Sequence, residues 1–287
     1  MKKRKKIIIF VLVTMMVGIA IFLRITFLWN GEFFENVIYK SRNLIIQQVQ
    51  EGNRDLIILG MGGSLSVDEQ NKIVHHDPLM VIPAIEFQGK TVLSVFYPFE
   101  TGGLEDAGKE LSAYINSIAP DYDSITLIGH SKCGACFANV AKWIEQKETL
   151  TVVTISTPFH GTTAADKDAM FEKLNWLEYG AFMMTFSNHK VDQDLIPDSE
   201  FIRNADYSGL EDCRHVNIIS TCPPKNESFT GFLLKCLDKR GKINGDGIVP
   251  EASQNLSYSN TITKKIEATH DDSLEMGIEM AKKIMLD

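Results

Sequence analysis

The chain lacks internal repeats and low-complexity tracts. Its 44% hydrophobic and 23% charged residues match ordinary globular usage, which excludes a collagen-like or disordered polymer. It also lacks an excess of positive charge beyond its first thirty residues. Those thirty hold six of the 29 Lys and Arg and none of the 37 Asp and Glu, leaving 23 basic against 37 acidic residues, a net of −14. A nucleic-acid binder would carry a basic patch instead, so no nucleic-acid partner is expected. Cysteines are few. Cys133, Cys136, Cys213, Cys222 and Cys236 make five, so at least one thiol stays free and the pairing of the others is undetermined. Cys133 and Cys136 have the spacing of a redox or metal pair, but the motif around them has a better reading below. His75, His76 and Asp77 could be seen as ligands, yet they read better as a solvated loop or strand end. No convincing ligand set emerges, and neither metal nor cofactor is expected.

Long apolar runs are absent except at the N-terminus. Lys2, Lys3, Arg4, Lys5 and Lys6 precede an apolar stretch from Ile7 to Leu23, followed by Arg24 and by Ile25 to Trp29. A span needs about 17–25 apolar residues. Arg24 can snorkel to the far headgroups and Trp29 can sit at the interface. No small-x-small cleavage site follows, because Phe22, Leu23, Arg24 and Ile25 are large, so a retained anchor is favoured over a cleaved signal peptide. No cysteine follows closely enough for a lipoprotein. Residues 1–30 are therefore expected to form a single-pass transmembrane helix with a cytoplasmic N-terminus, leaving the rest extracytoplasmic.

The remainder suits one α/β domain. Residues 31–54 read as a linker helix, broken at Gly52 and Asn53, and residues 55–287 as the domain. Strands are expected at 55–61, 91–96, 123–128, 150–155, 215–220 and 261–268, and helices at 104–118, 131–146 and 273–285. Alternating strands and helices predict a mostly parallel central sheet with helices on both faces. The stretch 64–89 gives no clear pattern. Residues 162–212 form a long excursion rich in aromatics and methionines, among them Phe171, Trp176, Phe182 and Met184, which suggests a helical cap or lid.

The chemistry centres on Gly129-His130-Ser131-Lys132-Cys133-Gly134, placed where a strand ends and a helix begins. A serine on such a turn stands above the sheet edge, with the helix N-terminus behind it favouring developing negative charge. The usual pattern is G-x-S-x-G, and here Cys133 occupies the last glycine position. A serine hydroxyl needs a base, normally a histidine held by a carboxylate. Ser131, Asp246 and His270 fall in the Ser, acid, His order. Asp246 lies in Asn244-Gly245-Asp246-Gly247, which alone would read as an ordinary turn. His270 follows the strand expected at 261–268 and precedes the last helix. His130, His160 and His215 fall outside the order, with His160 expected to brace the loop below the site. Cys133 as nucleophile is the weaker alternative, since its sulfur should point into packing.

These stretches resemble the lipase and esterase branch of the α/β-hydrolase superfamily, close to bacterial triacylglycerol lipases and GPI-inositol-deacylase-like hydrolases. Leu59 to Ser64 (LGMGGS) resembles the oxyanion loop, with Leu59 in place of the usual histidine. GHSKCG resembles the elbow, and Ser156 to Thr162 (STPFHGT) the stretch after the next strand. Gly245 to Pro250 (GDGIVP) resembles the acid loop, Ala268 to Asp272 (ATHDD) the histidine loop, and Asp194 to Ile202 (DLIPDSEFI) a segment after the cap. The resemblance implies an α/β-hydrolase fold with a helical cap, Ser131, Asp246 and His270 as triad, and backbone N–H groups of Met61 and Lys132 as the oxyanion hole. It implies hydrolysis of carboxylic esters through an acyl-enzyme. With the anchor, the expected substrate is an ester or lipid near the outer membrane surface. Substrate-binding residues are not indicated. Acyl transfer or amide hydrolysis by the same triad stays open, as does a catalytically inactive surface interaction module, which the changes at Leu59 and Cys133 motivate.

Overall fold

The computed structural model describes residues 33–76, 87–173, 190–222, 235, 238, 243–256 and 258–286. Among them, nine strands form one sheet: β1 (Val37–Lys40), β2 (Ile45–Gln50), β3 (Asp55–Val67), β4 (Ile73–His76), β5 (Thr91–Tyr97), β6 (Ser124–His130), β7 (Leu150–Ile155), β8 (Arg214–Thr221) and β9 (Thr261–Glu267). The order is β1-β2-β5-β3-β6-β7-β8-β9, with β4 paired to β3. From β5 to β9 every pairing along this order is parallel, while β1, β2 and β4 pair antiparallel.

The central strands are near-continuous apolar runs because both of their faces are covered. Alternate residues serve opposite cores. Leu56 and Ile58 pack with Leu111 and Ile115 of α1 (Leu104–Ile118) and Phe137 of α2 (Lys132–Val140). Ile57 and Leu59 belong to the other core, with Ile278 and Ala281 of α7 (His270–Leu286). On α1 the buried Leu104, Ala107, Leu111 and Ile115 recur at helical spacing, making one apolar stripe.

The linker helix expected at 31–54 is not found in the described part of that segment. It is the hairpin β1-β2, joined to the main sheet through β5. The turn is made by Ser41, whose hydroxyl oxygen accepts the N–H groups of Asn43 and Leu44 at 3.0 Å each. Leu44, Ile45 and Ile46 are buried. The signal was a Ser-Arg-Asn turn between two β-branched stretches, and it outweighs the weak helical spacing there. β3 also overruns its expected end at Met61 and continues to Val67, where Asp68 turns the chain into β4 by accepting the N–H groups of Gln70 and Lys72. His75 and His76 lie on β4, with the His75 ring 4.4 Å from that of Phe99, and Asp77 lies outside the described residues.

The described parts of the 162–212 excursion hold α3 (Lys167–Lys173), α4 (Lys190–Gln193), α5 (Glu200–Asn204) and two 3-10 turns, with no strand among them. Residues 174–189, which carry most of its aromatics and methionines, lie outside the described residues, as does the whole apolar run of 1–30. No helix among the described residues is long and apolar enough to cross a membrane. The short α6 (Glu251–Gln254) follows the 243–250 loop.

If the hairpin belongs to the cooperative unit, Leu44→Ala should cost about 2–5 kcal/mol in urea unfolding, as for a buried leucine elsewhere in a core. A change under about 0.5 kcal/mol, the level of a surface substitution, would make it an appendage.

Candidate active site

β6 ends at His130 and α2 begins at Lys132, so Ser131 alone makes the turn between them. Its φ of 55° and ψ of −128° lie in a region costly for any residue with a side chain. The strain is held in place by neighbours. Ser131 N–H donates to the Ile155 carbonyl at 2.9 Å, and the Ser131 carbonyl accepts from Gly134 N–H at 2.9 Å. Strand and helix approach so closely that a Cβ on Gly129 would stand 2.7 Å from the Gly134 backbone, and one on Gly134 would collide with Thr157 Oγ1.

Cys133, the departure from the usual elbow pattern, is accommodated from the opposite strand. A Cβ on Gly60 would lie 2.7 Å from Cys133 Cβ, so the glycine on β3 makes the room that a glycine at 133 would have made. The Cys133 thiol is buried, its Sγ is 2.7 Å from the Met61 carbonyl oxygen, and burial pushes its ionisation well above the ordinary thiol range. A reactive cysteine needs the reverse, a low pKa and access. Cys136, Cys213 and Cys222 are also free thiols, and Cys236 lies outside the described residues.

The structure brings Ser131, His270 and Asp246 into one hydrogen-bonded line. Ser131 Oγ is 2.9 Å from His270 Nε2, and His270 Nδ1 is 2.8 Å from Asp246 Oδ2. Facing a carboxylate, Nδ1 carries the proton and Nε2 accepts the serine hydroxyl. His270 is the first residue of α7 rather than part of a preceding loop, and its N–H donates to the Asp246 carbonyl at 2.9 Å. Asp246 has no solvent exposure. Its Oδ1 accepts the N–H groups of Ile248 at 3.0 Å and Val249 at 2.8 Å, and its Oδ2 accepts the Ser220 hydroxyl at 2.8 Å. Burial opposes its charge, but His270 and these amides outweigh burial and hold the carboxyl below its usual value. For His270 burial also opposes the charge, and the Asp246 carboxylate overcomes it, raising the ring above 6.5.

A polar chain that motif reading missed runs behind this line. Ser220 Oγ is 2.5 Å from Ser156 Oγ, which is 2.5 Å from Ser273 Oγ, which donates to the His270 carbonyl at 2.7 Å. His130 Nε2 donates to the same carbonyl at 3.1 Å, and its ring lies 4.7 Å from that of His270. Burial, then the charge of His270, lowers His130 to about 3, so it stays neutral. Gln254 clamps the end of β8, accepting Ser220 N–H at 2.7 Å and donating to the Ser220 and Val249 carbonyls at 2.9 and 3.1 Å. His130, inside GHSKCG, and Ser156, inside STPFHGT, sat in flagged motifs. The others are single polar residues on strands or helices, without local signal. His160 is exposed, and its contact with the loop is made by the backbone. The loop is held by His160 N–H donating to Ser253 Oγ at 3.1 Å and by Thr162, whose hydroxyl donates to the Ile248 carbonyl. His215 is buried between Thr154 and Thr261 hydroxyls at 3.0 Å each, away from the line.

Lys132 follows Ser131 directly, and the segment that begins at Met61 comes close to it. β3 pairs with β5 through Gly60 and again at Ser64, leaving residues 61–63 as an irregular step. That step lies over the serine, since a Cβ on Gly62 would stand 3.2 Å from Ser131 Cβ.

The solved structure of Bacillus licheniformis lipase BlEst2 in mature form is similar, with a TM-score of 0.55 at 15% identity over 86% of this chain and 99% of the lipase chain. Its propeptide form gives 0.52 at 14% identity over 86% of this chain and 54% of that one. No protein-family profile and no curated protein sequence matches the chain. The chain has the α/β-hydrolase fold, with a mostly parallel central sheet and flanking helices.

The electrostatics give a test that needs no substrate. Imidazole titration by NMR should place His270 above 6.5 and show His130 neutral throughout the range where the fold survives. In Asp246→Asn the charge that raises His270 is gone and burial dominates, so its midpoint should fall below 6.5. An unchanged His270 midpoint would mean that the two side chains are not coupled.

Proposed function

We propose that this chain is a membrane-anchored serine hydrolase that cleaves carboxylic esters through an acyl-enzyme. The observation that carries the reading is the line from Ser131 through His270 to Asp246, set on a strained strand-to-helix turn. In this reading His270 Nε2 takes the proton of Ser131 as its oxygen attacks the ester carbonyl. The imidazolium that forms is stabilised by Asp246, already ionised and fully hydrogen-bonded. The carbonyl oxygen becomes negative at the N-terminus of α2, where the first helical N–H groups have no carbonyl of their own turn to bond. Lys132 N–H there and Met61 N–H from the irregular step of β3 form the oxyanion hole. His270 returns the proton to the departing alcohol, and water, activated by the same ring, releases the acid.

Residues 1–30 hold the domain at the outer face of a cell membrane, with the basic N-terminus cytoplasmic. The basic cluster followed by an apolar run of spanning length supports this. The substrate is an acylated or lipid ester at that surface, and the lipase of similar fold supports the same class.

A fluorophosphonate should label the full chain in detergent, and label and ester turnover should both vanish in Ser131→Ala, with kcat lower by about 10⁴-fold or more. Absence of labelling in a folded sample would refute the hydrolase reading. Hydrolysis of soluble polar esters alone, with lipid emulsions untouched, would remove the lipid substrate and leave the mechanism standing.

A further inference from the structure

The ester chemistry proposed above uses only the backbone N–H of Lys132, and its side chain is unaccounted for. That side chain carries a charge, yet the residue, next in sequence after Ser131, is only 4% exposed. A buried ammonium is tolerated only when paired and hydrogen-bonded. Nζ donates to Asp192 Oδ1 at 2.8 Å and to Ser64 Oγ at 3.2 Å. Stability alone is a weak reason for the pair, since a buried ion pair is often no better than an apolar residue of the same size.

Its partners point to another role. Ser64 is fully buried on β3, three residues beyond Met61, where pairing with β5 resumes opposite Tyr97. Asp192 lies on α4, and two residues on, Asp194 accepts Leu104 N–H at the start of α1 at 2.8 Å. The Lys132 side chain therefore joins the elbow to the far end of the irregular step of β3 and to a helix seated on α1. Cys133 fastens the near end of the same step, its sulfur 2.7 Å from the Met61 carbonyl oxygen.

We infer that the Lys132 side chain is a positioning residue for the oxyanion hole. By holding Ser64 and Asp192 it fixes β3 at the distance from α2 at which the Met61 and Lys132 amides converge on one oxygen. This rests on the ester-hydrolase reading and adds a specific role to a side chain outside the triad. Donors aimed at a developing charge act only within tenths of an ångström of their proper place, so loosening them lowers kcat more than it weakens ground-state binding.

The test compares the full chain in detergent with Lys132→Met, Lys132→Arg, Ser64→Ala and Asp192→Asn. The readouts are KM for p-nitrophenyl butyrate, kcat per serine titrated by fluorophosphonate, and the melting temperature. Lys132→Met should lower kcat per titrated serine by about 10- to 100-fold, less than the roughly 10²–10³ of deleting a donor outright, with KM within about threefold. Lys132→Arg should recover part of the loss. Lys132→Met combined with Asp192→Asn should be no slower than Lys132→Met alone, because the two act as a unit. A lower melting temperature with unchanged kcat per titrated serine would overturn the inference. Should Lys132→Met not fold, Ser64→Ala decides, since it removes one oxygen: a severalfold lower kcat upholds the role and an unchanged kcat overturns it. A wild-type chain with no Ser131-dependent labelling would instead fail the ester reading, and this inference with it.

Discussion

A carboxylate wholly out of water would cost several kcal/mol unless its charge were met by hydrogen bonds and an opposite charge. Asp246 is such a group, and much of the molecule is arranged to satisfy it. Its loop folds back so that two amides, from Ile248 and Val249, point at one oxygen. β8 supplies Ser220 to the other oxygen, and Gln254 pins β8 to the same loop by three hydrogen bonds. The fourth donor is His270, placed by the start of α7. Because the His270 N–H also bonds the Asp246 carbonyl, ring and backbone are registered together. A carboxylate so completely satisfied stays ionised, and an ionised Asp246 is what raises the His270 ring against the effect of its burial. The fold, the tautomer and the basicity of the ring thus share one cause.

The same economy governs the turn at Ser131. Its backbone lies outside the comfortable regions, and such strain persists only where surroundings overdetermine it. Here they do so from both sides. Ile155 of β7 and Gly134 of α2 bond its amide and carbonyl, and the contact between Gly129 and Gly134 leaves no space for the turn to relax. Cysteine at 133 would crowd a strand bearing any side chain at position 60. Glycine there turns a departure from the motif into a contact, with the thiol lodged against the Met61 carbonyl.

What could be read in advance follows from how local each signal is. The central strands were legible because two covered faces demand unbroken apolar runs, and α1 because its stripe recurs at helical spacing. Ser131, Asp246 and His270, which the structure brings together, stood in short segments whose glycines and order carried the information. The β1-β2 hairpin was misread because β2 mixes glutamines with isoleucines and imitates an amphipathic helix over one turn. The extension of β3 was missed because Gly60, Gly62 and Gly63 look like a loop until the neighbouring β5 shows that pairing resumes at Ser64. Ser220, Ser273 and Gln254 carry no pattern at all, since each acquires its meaning from partners distant in sequence, such as Asp246 for Ser220, Ser156 for Ser273 and Ser220 for Gln254.

Lys132 shows why such partners matter to chemistry. At the variable position of the elbow, any residue can offer a backbone N–H, so the motif places no demand on the side chain. Once that side chain is a buried ammonium, its neighbours lose freedom: Ser64 must present an oxygen and Asp192 a charge, on two elements far apart in sequence. Moving either element away from α2 would strand a charge in a dry interior, at a cost well above that of an exposed ion pair. The ion pair therefore couples the seating of α4 to the spacing between α2 and β3. A change that displaced α4 would be felt beside Ser131 without touching His270 or Asp246.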